Sequence, residues 1–317
     1  MQMLDEKLEA GEVILLDGGT GTELDRLGVP MDGVAWCALA NKTHPEMVRQ
    51  VHESYIRAGA DIVTANTFST SRTILGPVGL GDEVAAINQR AVALALEARD
   101  NVAGGRPVAV AGSMSIMTPF IPGTYREDPA QAPDEDAEMA NHREMAGLLA
   151  GAGVDLIVME MMYDTAAAKR AVTVAVETGL PVWVGLSVER GPGGALTGWE
   201  RPDVSLDNLL DGLLPLGGAV AGIMHTTAED TDPALDALFA RWDGPVMAYP
   251  ESLVFTPAPG GAVEPDFAAA IPEDAFAERC RGWVEHGVQI IGGCCGISID
   301  HMTRMYETVP RRVGPRR

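Results

Sequence analysis

Eight short apolar segments alternate with helical patterns along this chain, and this alternation restricts the fold more than any other feature. Each segment is almost continuously hydrophobic, which is typical of strands that are buried on both faces. Several of the helical patterns end in a glycine just before the next segment, as at Gly59, Gly153 and Gly179, which is a common way to end a helix. The apolar segments begin at Val13, Asp61, Pro107, Asp155, Pro181, Ala219, Pro245 and Val288.

Eight strand–helix units within 317 residues predict an α/β fold. The expected form is a single (β/α)8 TIM barrel over residues 1–310, with its active site at the C-terminal ends of the strands. An open doubly wound sheet is the alternative, although nothing marks a domain boundary. Residues 115–135 and 251–272 are too long for simple connections, and both follow strands on the side where barrels carry active-site loops. The basic end, residues 311–317, is expected to be a flexible tail.

Charge and hydropathy exclude several classes of function. The formal net charge of −22 argues against nucleic-acid binding, because a phosphate backbone would be repelled. No apolar run approaches the ~18 residues of a membrane span, and the acidic N-terminus has none of the features of a signal peptide. We therefore expect a cytoplasmic protein that binds neither nucleic acid nor membrane. A homo-oligomer is compatible with the sequence.

Polar and reactive residues collect at the C-terminal ends of the predicted strands, which converge on one mouth in a barrel. Residues that are far apart in the sequence therefore become candidate neighbours in one site. In chain order they are Asp17, Gly18, Gly19, Asn66, Thr67, Ser113, Glu160, Ser187, His225, Thr226, Tyr249, Cys294 and Cys295.

The segment GGCCG, residues 292–296, is the most specific of these features. Adjacent cysteines rarely pair with each other, so in a chain expected to be cytoplasmic they favour metal binding or catalysis. The flanking glycines permit tight turns, so both sulfur atoms can face one ion, and thiolates suit Zn²⁺. Two buried, inert cysteines are the alternative. Cys37 and Cys280 lie in helical or pre-helical context and are interpreted as packing residues.

His225, Asp17 and Glu160 each have two interpretations. A histidine after an apolar strand is usually a hydrogen-bonded structural residue, but His225 ends at the same mouth as the cysteine pair and is therefore a candidate ligand. Asp17 and Glu160 either accept backbone N–H bonds at their strand ends or recognise an ammonium group through opposite charge.

Several segments together resemble the homocysteine S-methyltransferase family, and the resemblance covers nearly the whole chain. The paired cysteines, in register with the DGG and ANTF segments, are highly specific. The segments are LLDGGTGTEL, the stretch from Trp36 to Val48, YIRAGADIVTANTF, the Glu160 strand, GLSV, YPES and IIGGCCG.

The resemblance implies a barrel that binds one zinc ion. Such enzymes transfer a methyl group from a sulfonium or quaternary ammonium donor, such as S-methylmethionine or betaine, to the zinc-bound thiolate of homocysteine, giving methionine. Cys294 and Cys295 would then be zinc ligands, and Asp17 and Glu160 would hold the homocysteine amino group. The further substrate-binding candidates at the mouth are Gly18, Gly19, Asn66, Thr67 and Tyr249.

Two positions depart from the family pattern. The family usually has a third zinc-binding cysteine after strand 6, where this chain has His225, and an asparagine where it has Glu251. Two cysteines and one histidine form a known catalytic zinc set, so His225 is predicted to be the third ligand. A site in which His225 binds no metal is the alternative.

The predicted chemistry is activation of a thiol followed by attack on a methyl carbon. A thiol with a pKa near ~8.5 is mostly protonated at neutral pH, and a metal that binds the sulfur lowers that pKa. Aromatic faces and methionines commonly hold onium groups and adaptable ligands. The candidates for such a lining are Phe68, Phe120, Tyr125, Tyr163, Trp199, Tyr249 and Phe255, with Met114, Met117, Met161, Met162 and Met224.

Because the third cysteine is missing, two alternative functions stay open. One is a methyltransferase or demethylase that uses a different thiol or an unusual onium donor. The other is a non-catalytic barrel that senses a metal or a thiol.

Overall fold

Eight parallel strands form the centre of the computed structural model, which describes residues 2–258 and 262–316. Strands that are consecutive in the chain are neighbours in the sheet, and a parallel bridge between Leu16 and Ile62 joins the first strand to the second. The (β/α)8 barrel is thereby confirmed and the open sheet is excluded. The strands are β1 Ile14–Leu15, β2 Ile62–Ala65, β3 Ala109–Ser115, β4 Leu156–Met162, β5 Val182–Leu186, β6 Val220–Thr227, β7 Val246–Glu251 and β8 Ile290–Ile291.

A helix follows each strand on the outside of the barrel. These are α1 Pro45–Ala58, α2 Val84–Val102, α3 Glu135–Ala152, α4 Thr165–Glu177, α5 Leu206–Leu213, α6 Ala228–Phe239, α7 Glu273–Glu285 and α8 Ile299–Thr308. Shorter helices cover Gln2–Glu9, Thr20–Arg26, Ala40–Thr43 and Arg72–Leu75. Within residues 2–258 and 262–316, every helix is too short or too polar to cross a membrane.

Local sequence explains where these helices begin and end. The side chains of Asp134, Asp164 and Ser205 accept backbone N–H bonds in the first turns of α3, α4 and α5, which satisfies donors that a helix start leaves unpaired. Gly59 and Gly153 end α1 and α3 with positive φ angles of 130° and 91°, a conformation that glycine adopts without steric cost.

The N-terminal helix Gln2–Glu9 closes the bottom of the barrel. Leu4 is fully buried against the side chains that fill the barrel interior, including Ile14, Ile62 and Ile290. The filled interior means that ligands enter only from the opposite, C-terminal end.

Long loops after three strands build up the C-terminal mouth. Residues 115–135 contain the antiparallel pair Phe120–Ile121 and Arg126–Glu127, and residues 251–272 contain the pair Phe255–Pro257 and Val263–Pro265. A third structure follows β5 and was not predicted. It is a small antiparallel sheet of Val188–Arg190, Leu196–Gly198 and Arg201–Ser205, whose strands are too short and too polar for a periodic pattern to show.

The basic end of the chain, described up to Arg316, contacts the barrel, whereas composition predicted a flexible tail at residues 311–317. Arg312 forms an antiparallel bridge with Glu12. The guanidinium of Arg316 lies 5.4 Å from the ring centroid of Phe239. Composition cannot show these contacts, because the partners lie far away in the sequence.

Candidate active site

A cavity opens at the C-terminal mouth of the barrel, and its empty space, including the part open to solvent, is about 1020 Å³. Strand ends form its floor, and the loops after β3, β5 and β7 form its sides. Nine of the ten residues predicted as metal ligands or substrate-binding residues border this cavity. They are Asp17, Gly18, Gly19, Asn66, Glu160, His225, Tyr249, Cys294 and Cys295.

The two adjacent cysteines face the same space because the chain leaves the strand before it reaches them. Strand β8 ends at Ile291, and a turn follows in which Gly296 has a φ angle of 79°. In a continuing strand, neighbouring side chains would point to opposite faces. Here the sulfur atoms of Cys294 and Cys295 lie 3.9 Å apart.

A bulge brings His225 to the cysteines. The pairing of β6 with β7 loses its register near the end of both strands, and His225 itself has a φ angle of 42°. Non-glycine residues rarely adopt this left-handed conformation, and where they do the site is often functional. The Nδ1 atom of His225 lies 3.6 Å from the sulfur of Cys294, and the indole ring of Trp199 packs edge-on against the imidazole at 5.7 Å.

Two separations in this cluster, both involving the sulfur of Cys294, are those expected in a tetrahedral zinc site. With Zn–S bonds of about 2.3 Å and Zn–N bonds of about 2.0–2.1 Å, tetrahedral angles place two sulfurs about 3.8 Å apart and a sulfur and a nitrogen about 3.6 Å apart. The corresponding distances here are 3.9 Å and 3.6 Å, and the three ligand atoms all lie within 4.8 Å of one another. The donor types and spacing of His225, Cys294 and Cys295 are therefore compatible with a metal ion.

Hydrogen bonding shifts the pKa values of the two thiols in opposite directions. The hydrogen bond from Cys295, aided by His225, holds the pKa of Cys294 well below its usual range, although burial opposes this. The same hydrogen bond, together with burial, raises the pKa of Cys295 well above its usual range. Burial lowers the pKa of His225, but Glu251 and Cys294 outweigh burial and raise it to about 9. Cys294 would therefore already be a thiolate when a metal ion binds, whereas Cys295 and His225 would each have to lose a proton.

Asp17 and Glu160 are buried carboxyl groups at the ends of β1 and β4. Asp17 accepts the backbone N–H of Thr64 at 2.7 Å and its hydroxyl at 3.0 Å, and Glu160 accepts a short hydrogen bond from the hydroxyl of Ser113. Burial raises the pKa of Asp17 to about 8, and burial together with the charge on Cys294 raises that of Glu160 to about 7. Among the described residues, neither forms a salt bridge with a lysine or arginine.

Tyr249 presents a buried hydroxyl to the same part of the cavity. Within the described ranges this hydroxyl has no hydrogen-bond partner of good geometry, and the neighbouring Glu160, which is close enough for a weak hydrogen bond, raises its pKa further above the value that burial produces. Gly185 makes the room for it, since a Cβ atom there would lie 2.8 Å from the hydroxyl oxygen. An unpaired buried hydroxyl costs about 1–3 kcal/mol, which a bound ligand can recover.

Asn66 and Thr67 have their polar atoms largely engaged within the protein. Asn66 donates to the backbone oxygen of Cys37 and to the side chain of Asn41, both at 3.1 Å. Thr67 does not border the cavity. Its hydroxyl donates to the carbonyl of Ser113 and accepts from the N–H of the same residue, both at 2.9 Å, so it joins β2 to β3. Cys37 also borders the cavity, but burial raises its pKa to about 12 and keeps it protonated.

Aromatic side chains form the sides of the cavity, and we call this set the aromatic wall. Trp36 belongs to it and was not among the predicted residues, because it lies far beyond the end of β1, just before the short helix Ala40–Thr43. Tyr163 lies behind Trp199 with ring centroids 5.8 Å apart, and Met114 and Met162 are core residues. The wall consists of Trp36, Phe68, Phe120, Tyr125, Trp199 and Phe255, with Met117, Met161 and Met224 beside it.

Glu127 is a further carboxylate of the cavity that sequence reasoning missed. It accepts the backbone N–H and the hydroxyl of Thr118, both at 2.8 Å, and the hydroxyl of Tyr163 at 2.6 Å. Burial raises its pKa, although these donors oppose the shift. Nothing local distinguishes it from other acidic residues of its loop, because only the folded hairpin turns it inward.

The model of the homocysteine S-methyltransferase family matches residues 14–309. The chain belongs to the homocysteine S-methyltransferase family. Homocysteine S-methyltransferase 4 of Zea mays is 28% identical over 312 residues, which cover 92% of this chain and 87% of that protein.

Two further relatives differ in how much of their own length this chain covers. Homocysteine S-methyltransferase YbgG of Bacillus subtilis is 26% identical over 93% of this chain and 94% of its own length. Methionine synthase of Mycobacterium leprae is 28% identical over 95% of this chain, yet the chain spans only 25% of that longer protein. The Escherichia coli homocysteine methyltransferase MmuM, solved in a metallated form, has a TM-score of 0.74 over 96% of this chain and 99% of its own, at 22% identity, which supports the fold.

Membership of the homocysteine S-methyltransferase family confirms the resemblance and identifies the chain as a methyltransferase. The matched range contains every residue of the cluster and of the cavity floor described above. His225 and Glu251, the two positions predicted from the sequence to depart from the family pattern, lie side by side, with Nδ1 3.9 Å from Oε2.

Proposed function

We propose that this enzyme transfers a methyl group from an onium donor to the sulfur of homocysteine, giving methionine, at a zinc site formed by His225, Cys294 and Cys295. The observation that carries the proposal is that the sulfur of Cys294 lies at the distances expected in a tetrahedral zinc site from both the sulfur of Cys295 and Nδ1 of His225. Bound zinc would supply thiol activation, because it lowers the pKa of a thiol that it binds.

The floor of the cavity suits the amino group of homocysteine. Asp17 and Glu160 are buried carboxyl groups whose raised pKa values show how costly their charges are without a partner. An ammonium group placed between them would lower both pKa values and form charge-assisted hydrogen bonds. These residues, with Tyr249 beside them, would orient the substrate so that its sulfur reaches the metal ligands.

The aromatic wall suits the methyl donor. Sulfonium and quaternary ammonium groups are held by aromatic faces, and a donor of this kind leaves as a neutral molecule, so no acid is needed to protonate it. Attack on the methyl carbon requires an in-line arrangement, so positioning supplies much of the rate.

Glu127 favours a donor that itself carries an ammonium group. Its carboxylate would attract the amino group of an S-methylmethionine-type donor and would repel the carboxylate of a betaine. The hydrogen bonds from Thr118 and Tyr163 hold it in place on the cavity wall. The sulfonium amino acids are therefore the preferred donor class.

Methionine formation from homocysteine with a panel of sulfonium and betaine donors tests this function. We expect zinc-loaded enzyme to use S-methylmethionine in preference to betaine, and Glu127→Gln to reduce that preference. Glu307→Gln, an exposed change on α8, is the matched control. If the enzyme turned over only with another thiol, that thiol would be the acceptor instead of homocysteine. Metal binding without any methyl transfer would favour a sensing role instead.

A further inference from the structure

The bulge that carries His225 lies where strand β6 leaves the regular ladder of the barrel. Pairing of β6 with β5 ends at Ile223, and its pairing with β7 passes from Met224 directly to Thr227. The backbone between these points therefore needs partners other than the neighbouring strands, because a buried carbonyl or N–H group without a partner is costly.

Two buried hydroxyl groups supply such partners. The hydroxyl of Ser187, the residue after β5, donates to the carbonyl oxygen of His225 at 2.9 Å and to that of Met224 at 3.1 Å. The hydroxyl of Thr226 donates to the carbonyl of Met224 at 2.9 Å and accepts the N–H of Val188 at 3.0 Å. Ser187 therefore bonds to the carbonyls on both sides of His225.

His225 needs this support because its φ angle of 42° is unfavourable for a residue with a Cβ atom. Such conformations persist only where the surrounding structure fixes them. The angles φ and ψ describe the rotation of two peptide units about one Cα atom, so a hydroxyl that bonds to the carbonyls of both units also fixes the direction of the side chain. For His225, that direction places Nδ1 3.6 Å from the sulfur of Cys294.

The backbone of Ser187 holds a second group that contacts the imidazole. Its carbonyl accepts the N–H of Trp199 at 3.1 Å, and the indole of Trp199 packs edge-on against the imidazole of His225 with ring centroids 5.7 Å apart. One fully buried residue therefore holds both the backbone of His225 and the ring that packs against its side chain.

We propose that Ser187 is a positioning residue of the metal site, whose hydroxyl holds His225 in the left-handed conformation and keeps its imidazole beside the cysteine pair. The consequence for metal binding rests on the proposed zinc site, whereas the conformation of His225 can be measured without metal. Without the hydroxyl, the backbone can relax toward the extended conformation of a regular strand. Side chains of a strand alternate between its two faces, so this relaxation turns the imidazole away from the cluster.

Zinc affinity and the structure of the metal-free enzyme test the assignment. Ser187→Ala should raise the Kd for zinc about 10- to 100-fold in competition with a chromophoric chelator, the usual range for loss of an outer-shell partner. A crystal structure of the metal-free variant should show His225 outside the left-handed region, with its imidazole moved away from Cys294. Ser69→Ala is the matched control, because it removes a buried hydroxyl that donates to the carbonyl of Ala35 at 3.1 Å, and it should leave zinc affinity unchanged.

A double-mutant cycle separates positioning from a general structural role. In a His225→Ala background, Ser187→Ala should cost little further zinc affinity, because the ligand that it positions is already missing. With cobalt(II) in place of zinc, the ligand-field spectrum of Ser187→Ala should approach that of His225→Ala, since both lose the nitrogen ligand. Additive losses of affinity, or a wild-type cobalt spectrum in Ser187→Ala, would overturn the inference.

The outcomes also separate this inference from the proposed function. A wild type that binds no zinc defeats the proposed function, and the conformation of His225 in the Ser187→Ala crystal structure still decides the role of Ser187. An unchanged conformation there overturns the inference, whatever the wild type binds. If Ser187→Ala does not fold, Thr226→Val removes the other hydroxyl of the same bulge. It should weaken zinc binding by a smaller factor, and an unchanged affinity would show that these hydroxyls do not set the position of His225.

Discussion

Two parts of the cavity are built in different ways. The first, which we call the metal corner, consists of Gly18 and Gly19 after β1 and residues 292–296 after β8. Backbones touch there, since a Cβ atom on Gly19 would lie 2.6 Å from the backbone oxygen of Cys294. The hairpin side of the aromatic wall is held by side chains, with the rings of Tyr125 and Phe255 4.8 Å apart and Phe255 39% exposed.

The difference reflects what each part has to do. Metal ligands must hold their separations to a few tenths of an ångström, and close-packed backbone gives that precision. An aromatic surface that holds a cation tolerates small movements, because the attraction is spread over the whole ring face. Changes in the metal corner should therefore have larger effects than changes in the aromatic wall, and the following predictions test this order.

The largest effect is expected from removal of a sulfur ligand. Cys294→Ser should lower zinc affinity more than about 100-fold, beyond the usual cost of losing an outer-shell partner, and should abolish methyl transfer. Metal analysis of the purified protein and chelator competition measure the effect. Cys280→Ser, at a buried cysteine away from the cavity, is the control for loss of a thiol and should retain zinc. Full zinc occupancy in Cys294→Ser would show that the metal lies elsewhere.

Crowding the metal corner should have the next largest effect. Gly19→Ala places a methyl group against the carbonyl of Cys294, and such overpacking costs about 1–3 kcal/mol. We expect a lower free energy of unfolding in denaturant titrations and weaker zinc binding. Gly147→Ala, at a helical position with open space around it, should be neutral or stabilise by up to about 1 kcal/mol. A harmless Gly19→Ala would contradict the close packing inferred here.

The carboxyl groups of the floor should produce a measurable pH dependence. The pKa of Asp17 is raised from 3.8 to about 8 in the folded protein. The stability that this group contributes is therefore fully present below pH 3.8 and is lost as the pH rises through about 8. Thermal unfolding of the free enzyme should show this decline, and Asp17→Asn should flatten it. An unchanged profile in the variant would assign the decline to other groups.

Ionisation of Asp17 should strengthen substrate binding, although it lowers the stability of the free enzyme. The ionised form binds an ammonium group, so the affinity for methionine, which carries the amino group but no free thiol, should rise as the pH approaches 8. In turnover, Asp17→Asn should raise the KM for the thiol more than the KM for the methyl donor. Equal changes in both constants would remove the assignment of Asp17 to the amino group.

The smallest effect is expected in the aromatic wall. Phe255→Ala should raise the KM for the onium donor about 2- to 5-fold, equivalent to about 0.5–1 kcal/mol for an exposed cation–π contact. Stability should hardly change, because the side chain is half exposed. Leu27→Ala, at an exposed residue outside the cavity, controls for the loss of apolar surface. If Phe255→Ala raised the KM for the thiol more than the KM for the donor, Phe255 would contact the thiol substrate rather than the donor.

The sequence by itself predicted the barrel fold and most of the residues on the floor of the cavity. Buried parallel strands and their helices leave periodic patterns, and turn glycines leave local ones, so the eight units could be counted without any structure. Once the barrel is known, its topology brings all strand ends to one mouth. The grouping of Asp17, Glu160, His225 and the cysteine pair followed from that topology.

Only the tertiary structure decided how these groups face one another. The bulge at His225, the 3.9 Å approach of Glu251 to it and the inward turn of Glu127 depend on pairings between segments far apart in the chain. The small sheet that carries Trp199 and the docking of residues 311–316 have the same origin. Periodicity reports which face of an element is buried, whereas register, bulges and loop packing are set by distant partners, which no local pattern encodes.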